Sequence, residues 1–512
     1  MKDFSMSRFT RVATLTTAAL TTIVFASPAV AQKTAPAAAT GPTCDIDQGR
    51  PQTIARATLS LTRAQQAMKG GNPTKDLKDI VSALTAPGLK NENPVGRAFL
   101  LASAYVFLLD QPGIQAVSPR GEVGIATDPT APIDLFAAAD SSITIVEQSS
   151  PACTSYMAPF RQQKAWLNVT NAAINALNAN KLDSAELYAR RSLTLDRKSP
   201  YAYSVLASVA KAKKNYPMML EYSKQTLTAA GTDSAYADIR DRTNYDIAAT
   251  MTLRAQQATG AEKKSLAREA IGGWEPLLFS KDDVQSTLAV SNIAKMYIAA
   301  GDSLQIGKIY APMIVDPLKY SEGALLQAGV IASQNKRPDD AALLFNAVAS
   351  RNPYQRDALN NLAASYIQAG ENDKVFPVID KLVALDPSNP DNWLLYAFNY
   401  VGLLKTTKNL KLNKQYNDSL VFYNTKSEKM PVKVQFTEFT RNSEGTILAG
   451  TIENRGTVAK TYSLVVDFLG SKGEVLFTET ANVGPVAPKA SQTFQIKSPK
   501  TSVAGYRYKP LV

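Results

Sequence analysis

An internal repeat of 34 residues constrains the fold of this 512-residue chain more than any other feature. The repeat emerges when residues 328–353 are aligned on residues 362–387. The coinciding positions are Ala341 with Val375, Phe345 with Ile379, Val348 with Leu382, and Pro353 with Pro387. Alanine and leucine recur at three- and four-residue spacing in both segments, which is the period of an amphipathic helix. Repeats of this length bury their apolar faces only by stacking on neighbours, so we expect an array of helix pairs.

The second repeat has its small, aromatic and turn residues at defined positions. These are Leu362, Ala363, Tyr366, Gly370, Pro387 and, six residues later, Trp393. The pattern resembles the tetratricopeptide repeat, strongly over residues 290–400 and less strongly over 165–230. The resemblance implies antiparallel helix pairs in a right-handed superhelix. We therefore predict a mostly α chain, with an N-terminal helical region over 51–160 and a tetratricopeptide-like solenoid over 161–411.

The hydrophobic period changes near the end of the chain. We predict a linker over 412–430 and then alternating apolar and polar residues over 431–512, separated by turn signals such as Asn454-Arg455-Gly456. This spacing predicts a small antiparallel β-sandwich. The run Gly450 to Gly456 and the triplet Val466-Asp467-Phe468 resemble the immunoglobulin-like FxLYD domains of envelope proteins. That resemblance implies an interaction module without catalytic residues.

The first 31 residues predict a secretory signal. Basic residues precede an apolar stretch that is too short to span a bilayer, and Ala29-Val30-Ala31 supplies a small-residue cleavage pattern. We expect cleavage after Ala31, a flexible Ala/Pro/Thr-rich tether over 32–50, no transmembrane span, and a periplasmic or secreted location. An exported protein is an improbable partner for nucleic acid.

Composition excludes several chemistries. The chain has no histidine, which excludes a Ser-His-Asp triad and any His-ligated metal. The formal net charge is +12, or +10 once Lys2, Asp3, Arg8 and Arg11 leave with the signal. The excess is spread out, with one local concentration at Lys405, Lys408, Lys411 and Lys414. This balance favours acidic partners, including an anionic envelope polymer.

The two cysteines, Cys44 and Cys153, form an even pair in an oxidising compartment, and we predict a disulfide between them. Ser208 and Lys211 have the Ser-x-x-Lys spacing of penicillin-recognising enzymes, but the partner motifs of that signature are missing. Two isolated cysteines do not build a zinc site. We therefore predict no catalytic residues, no metal and no cofactor.

The tetratricopeptide resemblance implies a groove lined by the first helix of each pair. Carrying the register across gives Asn360, Asn361 and Gln368 in one repeat, Gln327 and Gln334 in the preceding repeat, and Tyr201, Ser204, Ser208 and Lys211 in an earlier one. Amide side chains both donate and accept hydrogen bonds, which suits an extended peptide backbone. The alternative is that these are solvated polar positions.

These observations predict an exported, non-enzymatic scaffold that binds a protein or peptide partner in the cell envelope, with the β domain as a second interaction module. The rival hypothesis is an envelope protein that binds or processes glycan with carboxylates between helices. A structural spacer is the third. The sequence leaves the oligomeric state open.

Overall fold

The computed structural model describes residues 51–88, 93–280, 282–442 and 444–511. The predicted signal peptide, the predicted tether and Cys44 lie outside these described residues. The chain divides after Thr243 into two compact units. Helices dominate both, and antiparallel sheets follow them at the C-terminal end, which confirms the predicted fold class.

The first unit is helical. Its helices are α1 (Gln52–Ala67), α2 (Thr74–Thr85), α3 (Pro94–Leu109), α4 (Leu135–Ser149), α5 (Thr154–Arg161), α6 (Lys164–Asn178), α7 (Leu182–Leu195), α8 (Pro200–Ala212) and α9 (Tyr216–Ala230). Helix α10 (Ala237–Gln257) crosses the division between the units. A short hairpin of β1 (Val117–Pro119) and β2 (Pro132–Asp134) lies between α3 and α4. Helix α3 is buried on most sides and forms the centre of the N-terminal core.

A nearly buried guanidinium joins the N-terminal helices to the first repeats. Arg161 donates to both carboxylate oxygens of Glu147, at 2.9 and 2.6 Å, and to Asp140 at 2.9 Å. It also donates to the backbone carbonyl of Leu195 at 2.8 Å. These bonds tie α5 to α4 and to the end of α7, so the region 51–160 packs directly on the repeat α6–α7.

The second unit continues the helix pairs. Its helices are α11 (Gly260–Trp274), α12 (Asp283–Ala300), α13 (Gly307–Val315), α14 (Glu322–Gln334), α15 (Pro338–Arg351), α16 (Arg356–Ala369), α17 (Asn372–Leu385), α18 (Pro390–Thr406) and α19 (Leu410–Lys429). Helices α14, α16 and α18 begin 34 residues apart, at 322, 356 and 390. The repeat seen in the sequence is therefore a repeat of helix pairs.

Close packing within a pair depends on a small residue in the first helix. A Cβ added at Gly329 of α14 would lie 2.6–2.9 Å from ring atoms of Phe345 on α15. Ala363 and Ala397 occupy the same position in the next two repeats and are buried. A side chain of one carbon or none at this position lets the second helix approach the first.

The segment 412–430, expected as a linker, is instead helical. It forms most of α19, which packs along α18 as the second helix of a last pair. Tyr423 of α19 stacks on Tyr396 of α18 with ring centroids 4.4 Å apart. The lysines and asparagines of this segment hid the helical period, because they occupy its solvent-facing positions.

The C-terminal strands form two three-stranded antiparallel sheets around a shared core. The strands are β3 (Val432–Asn442), β4 (Gly445–Asn454), β5 (Lys460–Leu469), β6 (Val475–Val486), β7 (Ser491–Ser498) and β8 (Gly505–Tyr508). One sheet has the order β3-β4-β7 and the other β6-β5-β8. Strand β8 has no counterpart among the strands expected from the sequence, since only four residues form it.

The β-sandwich is docked on the repeats through a buried cation. The guanidinium of Arg356, at the start of α16, donates to the carbonyl oxygen of Leu385 at 3.0 Å and to that of Tyr506 at 2.6 Å. It also lies 3.5 Å from the ring centroid of Tyr506 and 5.1 Å from that of Phe436. The charge is thus shared among carbonyl dipoles and aromatic faces of the repeat and the sandwich.

A second buried contact lies at the turn between α17 and α18. The hydroxyl of Tyr508 donates to Oδ1 of Asp386 at 2.5 Å and accepts from the backbone N–H of Ser388 at 3.1 Å. The backbone N–H of Val434 donates to the carbonyl of Ser388 at 2.9 Å. These bonds fix the orientation of the sandwich on the last repeats, so it is not a tethered module.

Candidate functional site

The first helices of successive pairs form one continuous surface in the second unit. Helix α14 contacts α12 and α16, and α16 contacts α18. Residues at spacings of four and seven or eight fall on one side of each of these helices. We call the side shared by α14, α16 and α18 the inner face. Its members are Leu326, Gln327, Val330, Gln334, Asn360, Asn361, Ile367, Gln368, Leu394 and Phe398, and all of them are partly or fully exposed.

The five amide residues predicted in this unit lie on the inner face. Gln327 and Asn361 occupy the same position in adjacent repeats, and so do Gln334 and Gln368. They form two short rows that cross from α14 to α16. The Nδ2 atom of Asn360 lies 3.5 Å from the buried Asn392 of α18, which extends the polar contact to the next helix. The inner face therefore presents donors and acceptors across neighbouring repeats.

Apolar side chains lie between the amides. Leu326 and Val330 on α14, Ile367 on α16, and Leu394 and Phe398 on α18 are each partly exposed. Sequence reasoning assigned such residues to packing between repeats and missed their place on this surface. The signal was their spacing of one or two helical turns from the predicted amides. The inner face combines hydrogen-bonding rows with apolar patches.

The charges near this surface are mostly acidic. Helices α14, α16 and α18 contain two cations, Arg356 and Lys405. Arg356 is buried against the β-sandwich, and Lys405 lies in the last turn of α18. Carboxylates occupy the first turns, among them Asp357, which is exposed, and Asp391, which pairs with Lys433 at 2.7 Å. The inner face therefore suits a neutral or basic segment better than an acidic one.

The predicted site residues of the first unit lie on α8. Tyr201 is partly buried and packs edge-to-face on Tyr236, with ring centroids 5.8 Å apart. Burial, with smaller contributions from Tyr236 and a nearby carboxylate, raises the pKa of Tyr201, so its hydroxyl stays protonated at neutral pH. Ser208 and Lys211 are partly exposed. Ser204 is buried, so the expectation that it lines an open groove is wrong.

The structure adds little to the chemical motifs of the sequence. Among the described residues, no three His, Cys, Asp or Glu side chains converge as metal ligands would. Within the same part of the chain, every helix is too short or too polar to cross a membrane. Cys153 is fully buried at the start of α5. Its predicted partner Cys44 lies outside the described residues, so the disulfide between them stays a prediction.

Comparison with known proteins leaves the family open. No family model and no curated protein match this sequence. A solved structure of PilF from Pseudomonas aeruginosa is 14% identical, covers 52% of this chain and 92% of its own, and has a TM-score of 0.19. The tetratricopeptide-repeat domain of P58(IPK) is 12% identical, covers 73% of this chain and 99% of its own, and has a TM-score of 0.18.

Proposed function

We propose that the protein is an exported, non-enzymatic scaffold of the cell envelope, and that its inner face binds an extended segment of a protein partner. One observation carries the proposal: amide rows and apolar side chains alternate across three adjacent first helices of the solenoid. An extended backbone would exchange hydrogen bonds with the amides. Its apolar side chains would pack on residues such as Ile367 and Phe398, and burial of that area would supply most of the affinity.

The bound segment carries apolar side chains and no excess of acidic residues. The cations of the three helices are buried or lie at their ends, and carboxylates such as Asp357 lie along the first turns. An acidic peptide would meet like charge there and lose affinity. A neutral or basic segment would not.

In-cell crosslinking followed by mass spectrometry tests the proposal. The wild-type chain is compared with a variant that combines Asn361→Ala and Gln368→Ala, and with Ile367→Glu. The matched control is Asn346→Ala, since Asn346 is an exposed amide on the second helix α15. We expect one dominant crosslinked protein that both inner-face variants lose and the control retains. Equal crosslinking by all four chains would reject the inner face as the site.

The same experiment addresses the rival hypothesis and the β-sandwich. We propose that the sandwich makes a second contact with the partner, so crosslinks from its exposed Lys472 and Lys497 should reach the same protein. Crosslinks from the solenoid alone would remove that contact from the proposal. No protein partner for any chain, together with release of peptidoglycan fragments, would favour the glycan-processing hypothesis.

A further inference from the structure

Helix α19 uses only one side to close the solenoid. Its Tyr423 stacks on Trp393, Tyr396 and Tyr400 of α18, with ring centroids 4.4–6.3 Å apart. Strand β3 follows α19 directly, so no further first helix covers its other side. We call that side the outer face. Its members are Leu410, Lys411, Lys414, Val421, Phe422 and Lys429, all exposed.

The outer face is strongly basic. Residues 405–429 contain six lysines and two carboxylates, Asp418 and Glu428, a net charge of +4 over 25 residues. Lys405 and Lys408 precede the helix and are exposed like the lysines of the outer face. None of these exposed lysines forms an ion pair with a residue that the structure describes. Their charge is therefore available to an anionic surface.

Apolar side chains protrude from the same face. Leu410 is 88% exposed, Val421 56% and Phe422 59%. Leu410 and Val421 are eleven residues apart, which is close to three helical turns, so they lie along one line of the helix. Water-exposed leucine, valine and phenylalanine beside lysines are typical of helices that lie in a membrane interface, where the apolar groups enter the acyl boundary and the lysines reach the headgroups.

We propose that the outer face of α19 binds the surface of an anionic lipid bilayer, with the helix parallel to the membrane plane. The exposed apolar residues distinguish this surface from a site for a soluble polyanion, which lysines alone would serve. A second copy of this chain is disfavoured as the occupant, because pairing of two outer faces would bring lysines against lysines. The site is separate from the inner face and does not depend on the proposed function.

Vesicle co-sedimentation tests the proposal with the chain that begins at Gln32, after the predicted signal. The probes are vesicles of phosphatidylglycerol with phosphatidylcholine, and vesicles of phosphatidylcholine alone. We expect binding to the first and little to the second. Reversing two charges with Lys411→Glu and Lys414→Glu should weaken binding at least about 30-fold. Phe422→Ser should weaken it about tenfold through loss of apolar burial.

A control keeps the outcome interpretable. Lys198→Glu with Lys224→Glu changes the net charge equally at exposed positions of the first unit, and should leave binding close to that of the wild type. Thermal melts of all variants check that they fold. Absence of binding to anionic vesicles, or equal weakening by the control, would overturn the proposal. Binding that ignores Phe422→Ser but is lost to a soluble polyanion would identify an acidic polymer as the occupant and overturn it too.

Discussion

Removal of one hydroxyl tests whether the β-sandwich is an integral part of the last repeats. The hydroxyl of Tyr508 donates to Asp386 at 2.5 Å and accepts from the backbone N–H of Ser388 at 3.1 Å. All three residues are buried. The substitution Tyr508→Phe keeps the ring and its packing and removes both hydrogen bonds. Its effect therefore reports on the polar contact between sandwich and solenoid.

The expected cost follows from these two bonds. A hydrogen bond to a charged group contributes about 1.5–3 kcal/mol, and a buried N–H without an acceptor costs about 1–3 kcal/mol. Asp386 keeps donors from the side chains of Asn389 and Asn392, at 3.0 and 2.9 Å, which limits the loss. We expect Tyr508→Phe to lower the free energy of unfolding by about 3 kcal/mol. Typical domains are stable by about 5–15 kcal/mol, so the variant should still fold.

Urea unfolding followed by circular dichroism measures this change. The matched control is Tyr462→Phe, which removes a hydroxyl from a buried ring of the same sandwich that has no hydrogen-bond partner among the described residues. The control should change the free energy of unfolding by less than about 0.5 kcal/mol. A Tyr508→Phe variant as stable as the wild type, or no more destabilised than the control, would refute the reasoning.

The pH dependence gives the same prediction a second readout. Burial first, and the neighbouring Asp386 carboxylate second, raise the pKa of Tyr508 well above its ordinary value of 10.0. The folded state then holds the phenolic proton more tightly than the unfolded state. The stability is fully present below about pH 10 and falls as the pH rises above it. Tyr508→Phe should therefore lose about 1.4 kcal/mol less per pH unit in that alkaline range than the wild type.

Two further predictions concern the helix packing and the cysteines. Gly329→Ala should destabilise the protein by about 1–3 kcal/mol in urea unfolding, because its Cβ would collide with the ring of Phe345, whereas Gly272→Ala in α11 meets open space and should stabilise it by up to about 1 kcal/mol. Equal effects of the two substitutions would contradict the packing argument. Mass spectrometry of the unreduced exported chain should show Cys44 and Cys153 joined, and reduction should lower the free energy of unfolding by about 3–4 kcal/mol. Two alkylatable thiols in the unreduced chain would exclude the bridge.

The sequence predicted the repeat because its period is written in small and aromatic residues. Phe345 packs on Gly329, and the 34-residue period recurs in the helix starts. The turns within pairs were less visible. Gly370 follows α16 at φ 79°, as its lack of a side chain allows, but Lys214 and Lys336 adopt φ 58° at the corresponding turns of other pairs. Lysine gives no sequence signal for that left-handed conformation.

The docking of the sandwich was beyond the sequence for a different reason. Arg356 sits at the start of a repeat helix and its partners are backbone carbonyls, one of them 150 residues away at Tyr506. Carbonyl acceptors carry no residue-type signature, so no motif identifies them. The amides of the candidate site were predictable from the repeat register. The apolar residues beside them were not, since register alone does not separate a packed leucine from an exposed one.

The fixed sandwich changes how two contacts on one chain would cooperate. A flexible linker would let two sites search for a partner independently, and their avidity would follow from linker length. Here the buried contacts of Arg356 and Asp386 hold the sandwich in one orientation on α16–α18. Two sites held rigidly gain most for a partner whose geometry matches them, and gain nothing for one that does not. Loosening the dock with Tyr508→Phe should therefore weaken binding of a partner that uses both sites, and leave unchanged the binding of a peptide that occupies the inner face alone.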